Sequence, residues 1–351
     1  MRRKVIYMET QRETVYILGI ETSCDETAVS VVSNGQKVLS NVVSSQTDVH
    51  SLYGGVVPEI ASREHSKLLP PLVSKAVDEA GLNMNDINAI AVTQGPGLVG
   101  PLLVGVSFAK SLAYSLKIPL IPVNHIKAHL YANFILADDD KDSNLPSFPL
   151  IALIVSGGHT NLYYLYDHDN WKLLGRSRDD ASGESFDKIA RALDLGYPGG
   201  PAVEKEAQKG QPNVDFPKPK LENEYDFSFS GLKSAVLNYL NRKKMKGEQY
   251  SSSDICASFQ QVVVDSLVEK TISAARDNQV DTIVLAGGVS ANGQLRANFK
   301  ETTAGEGINL FLPRLEYCTD NAAMIAALGY HNYRRGWIAS LDLNAVPNLS
   351  P

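Results

Sequence analysis

The feature that most constrains this chain is a run of short apolar strands and tight polar turns that occurs twice, about one half-chain apart. In the first occurrence Val15-Tyr16-Ile17-Leu18-Gly19-Ile20 is an apolar, β-rich run. Glu21 to Thr27 is a polar turn, Ala28–Val32 resumes the strand, and Asn34-Gly35 is a hairpin signal leading into Val38–Val43. In the second, Leu150–Val155 is a strand, Ser156-Gly157-Gly158-His159-Thr160 a turn and Asn161–Tyr166 a second strand. Asp167 to Asn170 then turns the chain into Trp171–Leu174. A repeat of this kind explains the order of elements as two similar α/β halves.

The remaining segments fit that plan. Helical periodicity covers Pro58 to Ala80, with Ile60, Leu68, Leu69, Leu72, Val73 and Ala76 as its apolar positions. Ala89–Thr93 is a short buried strand ending in the tight loop Gln94–Pro101, followed by a helix through Phe108 and Leu112 and the strand Pro119–Val123. The second half is predicted to hold helices over Phe186–Leu193, Leu232–Leu240 and Ser253–Arg276. A Pro/Gly/Lys-rich loop lies between Gly196 and about Phe227. The strand Thr282–Ala286 opens into Gly287-Gly288-Val289-Ser290-Ala291-Asn292, with helices from about Gln294 and over Asn321–Tyr330. The expected division is a disordered leader 1–14, a first half 15–149, a second half 150–335 and a tail 336–351. The acidic loop Asp138–Pro149 joins the halves.

Composition narrows the classes. Three separated cysteines, Cys24, Cys256 and Cys318, argue for a reducing compartment rather than a disulfide framework. The basic start Met1-Arg2-Arg3-Lys4 is followed by no sustained apolar segment, so neither a secretory signal nor a membrane partner is expected. A net charge of −6 means that nucleic acid would have to meet a local basic patch. Arg242-Lys243-Lys244-Met245-Lys246 is the obvious tract, and it reads equally as a solvated loop between two helices.

Two kinds of motif carry chemistry. In Asn124-His125-Ile126-Lys127-Ala128-His129-Leu130 two histidines four apart stand on one helical face. Such a pair can hold a metal ion and leave positions for a carboxylate, water or substrate, or it can simply pack. Ser156-Gly157-Gly158 between two strands and Gly287-Gly288 between a strand and a helix let the backbone approach a ligand. Each is also explained by a left-handed turn, but two at strand ends in one half favour a nucleotide in an interdomain cleft. No Walker A motif is present.

Taken together and in order, Ile20-Glu21-Thr22-Ser23-Cys24-Asp25-Glu26-Thr27, Gln94-Gly95-Pro96-Gly97, His125–His129, Val155–Thr160 and Ala286–Asn292 resemble one family. It is the tRNA N6-adenosine threonylcarbamoyltransferases, formerly called O-sialoglycoprotein endopeptidases. The resemblance covers about residues 15–335 and is closest to the bacterial branch. It implies the α/β actin-like ATPase architecture, two RNase-H-like mixed-sheet halves around a cleft. It also implies an iron(II) ion, with zinc a competitor, on His125, His129 and Asp320. The nucleotide part of the substrate falls on Ile154, Val155, Ser156, Gly157, Gly158, Asp187, Gly200, Glu204 and Asn292, with Glu204 standing where relatives often carry aspartate.

The implied reaction takes the threonylcarbamoyl group from threonylcarbamoyl-AMP to N6 of the adenosine beside the anticodon, position 37 of ANN-decoding tRNAs. AMP leaves, and Asp25 or Glu26 could take the proton. Implied partners are a smaller inactive paralogue of the same fold and a P-loop ATPase, or a second copy in a homodimer. The expected compartment is the cytoplasm, or the mitochondrial matrix for an organellar member. Two rival readings are weaker. A metalloendopeptidase needs His-Glu-x-x-His, whereas Ile126 follows His125. An actin-fold ATPase or kinase usually keeps an aspartate where this chain has Glu21, and a histidine-bound metal is foreign to its phosphates.

Overall fold

The protein is seen in a computed structural model that describes residues 14–136, 144–219 and 221–351. All of the leader except Thr14, and residues 137–143 at the loop between the halves, lie outside the described residues. The first meander is β1 (Tyr16–Glu21), β2 (Glu26–Ser33) and β3 (Lys37–Ser45), followed by α1 (Thr47–Ser51), α2 (Pro58–Glu79), β4 (Ala89–Gly95), α3 (Val99–Leu116), β5 (Leu120–Asn124) and α4 (His125–Tyr131). The second is β6 (Leu150–Val155), β7 (Thr160–Leu165) and β8 (Trp171–Arg176). Then come α5 (Ser182–Ala192), α6 (Gly199–Ala207), α7 (Ser230–Met245), α8 (Ser252–Asp277), β9 (Thr282–Ala286), α9 (Gly293–Glu306), β10 (Asn309–Phe311) and α10 (Ala322–Arg334).

The two sheets have the same topology. One runs β3-β2-β1-β4-β5 and the other β8-β7-β6-β9-β10. In each, an antiparallel meander is extended by two parallel strands. Asn34 and Gly35 both adopt positive φ at the β2–β3 turn, as the hairpin signal required.

Strand alternation sorts the core into layers. Ile151, Leu153 and Val155 of β6 join a cluster with α5–α9, while Leu150, Ala152 and Ile154 face the other way. They meet Ile126, Ala128 and Leu130 of α4, Ala323–Leu328 of α10, and Ile17 and Ala91 of the first sheet. Leu18, Ile20 and Val92 turn outward onto α2 and α3. The order is therefore α2/α3, first sheet, α4/α10, second sheet, remaining helices. α3 is long and apolar enough in composition to cross a membrane, but its Leu102, Val106, Ala109 and Ala113 are buried in this core.

Two segments depart from the sequence reading. The loop expected over Gly196–Phe227 contains α6. Its proline lies in the first turn, where no intrahelical N–H is needed, and Ala-Val-Glu-Lys-Glu-Ala follows with strong helix propensity. The basic tract is not a loop through Met245 but the last turn of α7, where cations oppose the helix dipole. The tail beyond 336 folds back on the first half. Ala339 N–H donates to Leu120 O (2.8 Å), Val346 N–H to Gln94 O (2.8 Å) and Gly97 N–H to Pro347 O (3.1 Å). The closing helix α10, placed by sequence with the second half, packs on the first sheet.

That packing depends on small residues. A Cβ on Gly19 would lie 2.4 Å from Ala322 O and 2.8 Å from Ala326 N, and one on Gly329 would lie 2.4 Å from the Ala91 Cβ. Gly19→Ala should therefore lower stability by about 1–3 kcal/mol through overpacking between β1 and α10. Chemical denaturation would show it as a lower midpoint with an unchanged slope.

Candidate metal centre and cleft

The parallel strands of each half end on one side, and their carboxyl ends meet at a cleft of about 530 Å³ between the halves. From the first half it is lined by Ser23–Glu26, Thr47, Pro96–Leu98 and His125. From the second come Ser156–His159, Gly183, Phe186, Asp187, Tyr197, Pro198, Gly200, Glu204 and the Gly288–Asn292 turn, with Thr319 and Asp320.

At its inner end stand His125, His129 and Asp320, the three residues to which the resemblance assigns a metal ion. α4 starts at His125, with Asn124 as its cap accepting from Lys127 N–H (3.0 Å), and one turn later it presents His129. Asp320 precedes α10, whose cap is Asn321. The three residues offer ligand atoms within 4.8 Å of one another. Asp320 Oδ1 lies 3.5 Å from His125 Nε2 and 3.2 Å from His129 Nε2. His129 is 1% exposed, and neither of its ring nitrogens has a hydrogen bond of acceptable geometry. Such a buried imidazole beside a carboxylate, with a second imidazole alongside, is a donor set that fits a divalent transition-metal ion.

The sequence reading missed the residue that holds this set in place. Glu21, fully buried at the end of β1, accepts from His125 Nδ1 at 2.9 Å and from Thr93 Oγ1 at 2.7 Å. Ser23 Oγ is 3.2 Å from the same His125 nitrogen. The carboxylate fixes the tautomer and turns Nε2 toward Asp320. The available signal was a carboxylate closing an otherwise apolar strand. Burial pushes the His125 pKa down, but Asp320 and Glu21 on either side outweigh it and hold it well above the usual imidazole range. Burial likewise pushes Asp320 up, and His125 and His129 hold it far below the carboxylate range.

The two turn acids differ. Burial, then Asp320 and Asp25, push the Glu26 carboxyl up to about 9, so without a cation nearby it carries a proton at neutral pH. Asp25 is 7% exposed and lines the cleft beside it. His65 of α2 secures their turn: its Nε2 donates to Cys24 O (3.0 Å) and its Nδ1 accepts from Thr27 Oγ1 (2.7 Å).

The expected nucleotide residues divide. Ser156, Gly157, Gly158, Asp187, Gly200, Glu204 and Asn292 line the cleft, whereas Ile154 and Val155 are fully buried in β6 and support the turn from beneath. Nothing of the protein would meet a Cβ on Gly157 or Gly158, so side chains there would occupy the cleft itself. Gly287 has φ +87°, and its Cβ would lie 2.3 Å from Val155 O, so only glycine fits. Asp187 Oδ1 accepts from Gly199 N–H (2.8 Å), leaving its other oxygen toward the cleft. Asn292 is committed on both sides, capping α9 through Leu295 N–H and donating to Gln260 Oε1 (2.8 Å). Glu204 Oε1 accepts from Gly293 N–H (2.7 Å).

Comparison with known proteins points to one family. Residues 37–327 match the model of the tRNA N6-adenosine threonylcarbamoyltransferase family. The protein of that name from Clostridioides difficile (strain 630) is 52% identical over 337 residues, covering 95% of this chain and 98% of the relative. The one from Symbiobacterium thermophilum is 54% identical over 334 residues, covering 95% and 96%. Among solved structures, T. kodakarensis HypF aligns with a TM-score of 0.58 at 17% identity, covering 94% of this chain and 49% of that one. Full-length HypF in a phosphate- and nucleotide-bound form aligns at 0.56 and 12%, covering 93% and 56%. These two show the shared actin-like ATPase fold and nothing more.

Glu21→Gln tests the frame around the triad. It keeps the size of the side chain but removes the charge that fixes the His125 tautomer. Divalent-ion affinity should fall about 10–100-fold in a calorimetric titration, with the circular dichroism spectrum unchanged.

Proposed function

The chain belongs to the tRNA N6-adenosine threonylcarbamoyltransferase family, and from that premise we propose how its cleft carries out the transfer. The activity is transfer of a threonylcarbamoyl group to an adenosine of tRNA. In our reading the donor is threonylcarbamoyl-AMP and the acceptor is N6 of adenosine 37 in ANN-decoding tRNAs. The N6 nitrogen forms a bond to the carbamoyl carbon, the bond from that carbon to the phosphate oxygen breaks, and AMP departs with the electron pair.

The observation that carries this reading is one cleft with a buried two-histidine, one-carboxylate set at its inner end and an open glycine turn along its wall. His125, His129 and Asp320 would hold the ion, iron(II) by preference with zinc as competitor. When bound, it supplies Lewis-acid polarisation of the donor's carbonyl oxygen. The protein's own groups do the rest. The Ser156–Gly158 backbone lets the adenylate lie close to the sheet, and the free oxygen of Asp187 is placed for ribose hydroxyls. Enclosure between the halves excludes the water that would hydrolyse the anhydride. Asp25, on the first-half turn that lines the cleft, is the group we assign to accept the N6 proton.

Bacterial relatives and three free cysteines support a cytoplasmic setting. The partners we propose are a smaller paralogue of the same fold and a P-loop ATPase, with a homodimer as the alternative. Val99 and Leu103, on the outer face of α3, are 56% and 42% exposed and suit such an interface.

Purified protein given synthetic threonylcarbamoyl-adenylate and tRNA should yield modified adenosine and AMP, with and without added partners. Robust ATP turnover in the absence of tRNA, with no modified adenosine, would sink the transfer reading. His125→Ala combined with His129→Ala should abolish ion binding and transfer while leaving the fold intact. Transfer retained by that ion-free double variant would refute the role of the triad.

A further inference from the structure

At the mouth of the cleft, a loop of the first half crosses to the second. α1 ends at Ser51, and residues 52–57 run out to α2. Arg191, one helical turn after the cleft-lining Asp187 on α5, donates from Nη2 to Gly54 O at 2.8 Å. Thr47, at the start of α1, lines the cleft on the same side.

The tip of this loop is exposed, but its base is built rigidly. Tyr53 N–H (3.0 Å) and Gly55 N–H (3.3 Å) both donate to His50 O. The buried His50 ring accepts from Val57 N–H through Nδ1 (3.3 Å) and donates to Gln46 Oε1 through Nε2 (3.2 Å). Gln46 is buried in turn, and its N–H donates to Asp25 O (3.1 Å). The loop is thus pinned through buried polar groups to the turn that carries Asp25. From this base Leu52 and Tyr53 project at 82% and 61% exposure, and Gly54, at φ +69°, has open space around it. An aromatic ring and a leucine are thus largely exposed on a loop whose neighbouring Gly54 carbonyl accepts from the Arg191 guanidinium.

We propose that Tyr53 and Arg191 form a landing site at the cleft mouth for the unpaired tRNA nucleotides beside the target adenosine. Tyr53 stacks on a base and Arg191 contacts the backbone phosphate. The inference rests on the cleft being where tRNA meets the donor. Adenine N6 lies on the Watson–Crick edge, so the target must be unpaired and drawn out of its stack to reach an enclosed carbonyl. Neighbouring bases then lose a stacking partner at the mouth. An exposed aromatic face replaces it without regard to sequence, as proteins that hold single-stranded loops do. Arg191 uses one N–H on Gly54 and keeps others for a phosphate oxygen.

The test uses the full chain with Tyr53→Ala, Tyr53→Phe and Arg191→Ala, varying tRNA at saturating donor and then donor at saturating tRNA. Tyr53→Ala should raise the KM for tRNA about ten-fold, with the donor KM and the thermal midpoint unchanged, while Tyr53→Phe stays within about two-fold of wild type. Arg191→Ala should raise the tRNA KM and reduce the slope of log affinity against log salt by about one. A Tyr53→Ala protein with the wild-type tRNA KM overturns the proposal, and so does one whose donor KM rises equally. If Tyr53→Ala instead weakens only association with another protein chain, the loop is a protein contact and the proposal fails. In all these cases wild-type transfer stands. Absence of transfer by the wild-type protein overturns the reading of the cleft itself.

Discussion

The close seating of α10 against β1 and β4 is the contact on which the rest depends. α10 is buried from Ala322 to Leu328 in the middle layer between two sheets. A helix can approach a sheet this closely only where side chains vanish, and Gly19, Ala326, Gly329 and Ala91 provide that. The consequence is chemical. Asp320 leads into α10, and His125 and His129 lie on α4 in the same layer, so seating one helix on the sheet brings a late carboxylate to early imidazoles. The expected halves are topological twins, yet this layer belongs to both.

Charge then decides what the centre can hold. Glu21, fully buried, and Asp320, at the inner end of the cleft, flank His125. An imidazolium between two carboxylates leaves one negative charge unbalanced in a place where unbalanced charge is costly. A divalent cation with both imidazoles neutral would balance the two carboxylates instead, and would give one unbonded nitrogen of His129 a partner. The same negative field raises Glu26, so a cation at the triad would bring Glu26 back down.

Much of this was legible in the sequence, because the signals are local. Periodicity and turn chemistry placed Leu150–Val155 and Thr282–Ala286 at their observed bounds, and α2 within one residue. The histidine spacing and glycine turns gave the ingredients of the site, and resemblance to a family joined them. Three things needed three dimensions. α6 was hidden because Gly-Gly-Pro reads as a loop until the helix-forming residues after it find a partner in α8. Glu21 was hidden because an acid at a strand end is usually solvated, and only the arrival of β4 and α4 makes it a buried acceptor. The loop at Tyr53 was hidden because its function depends on what lies across the cleft.

The rival chemistries fail on the same geometry. A zincin's glutamate would stand next to the first histidine, but Ile126 is 1% exposed and packed in the middle layer, so no acid is available there to activate water. Of the acids that line the cleft, Asp25 and Glu26 sit on a first-half turn pinned by His65, whereas the Ser156–Gly158 turn belongs to the second half. A proton acceptor across the cleft from the nucleotide wall suits an amine entering against a bound adenylate. The exposed Tyr53 loop, tied to the second half through Arg191, is explained by a second, macromolecular substrate and not by a nucleotide alone.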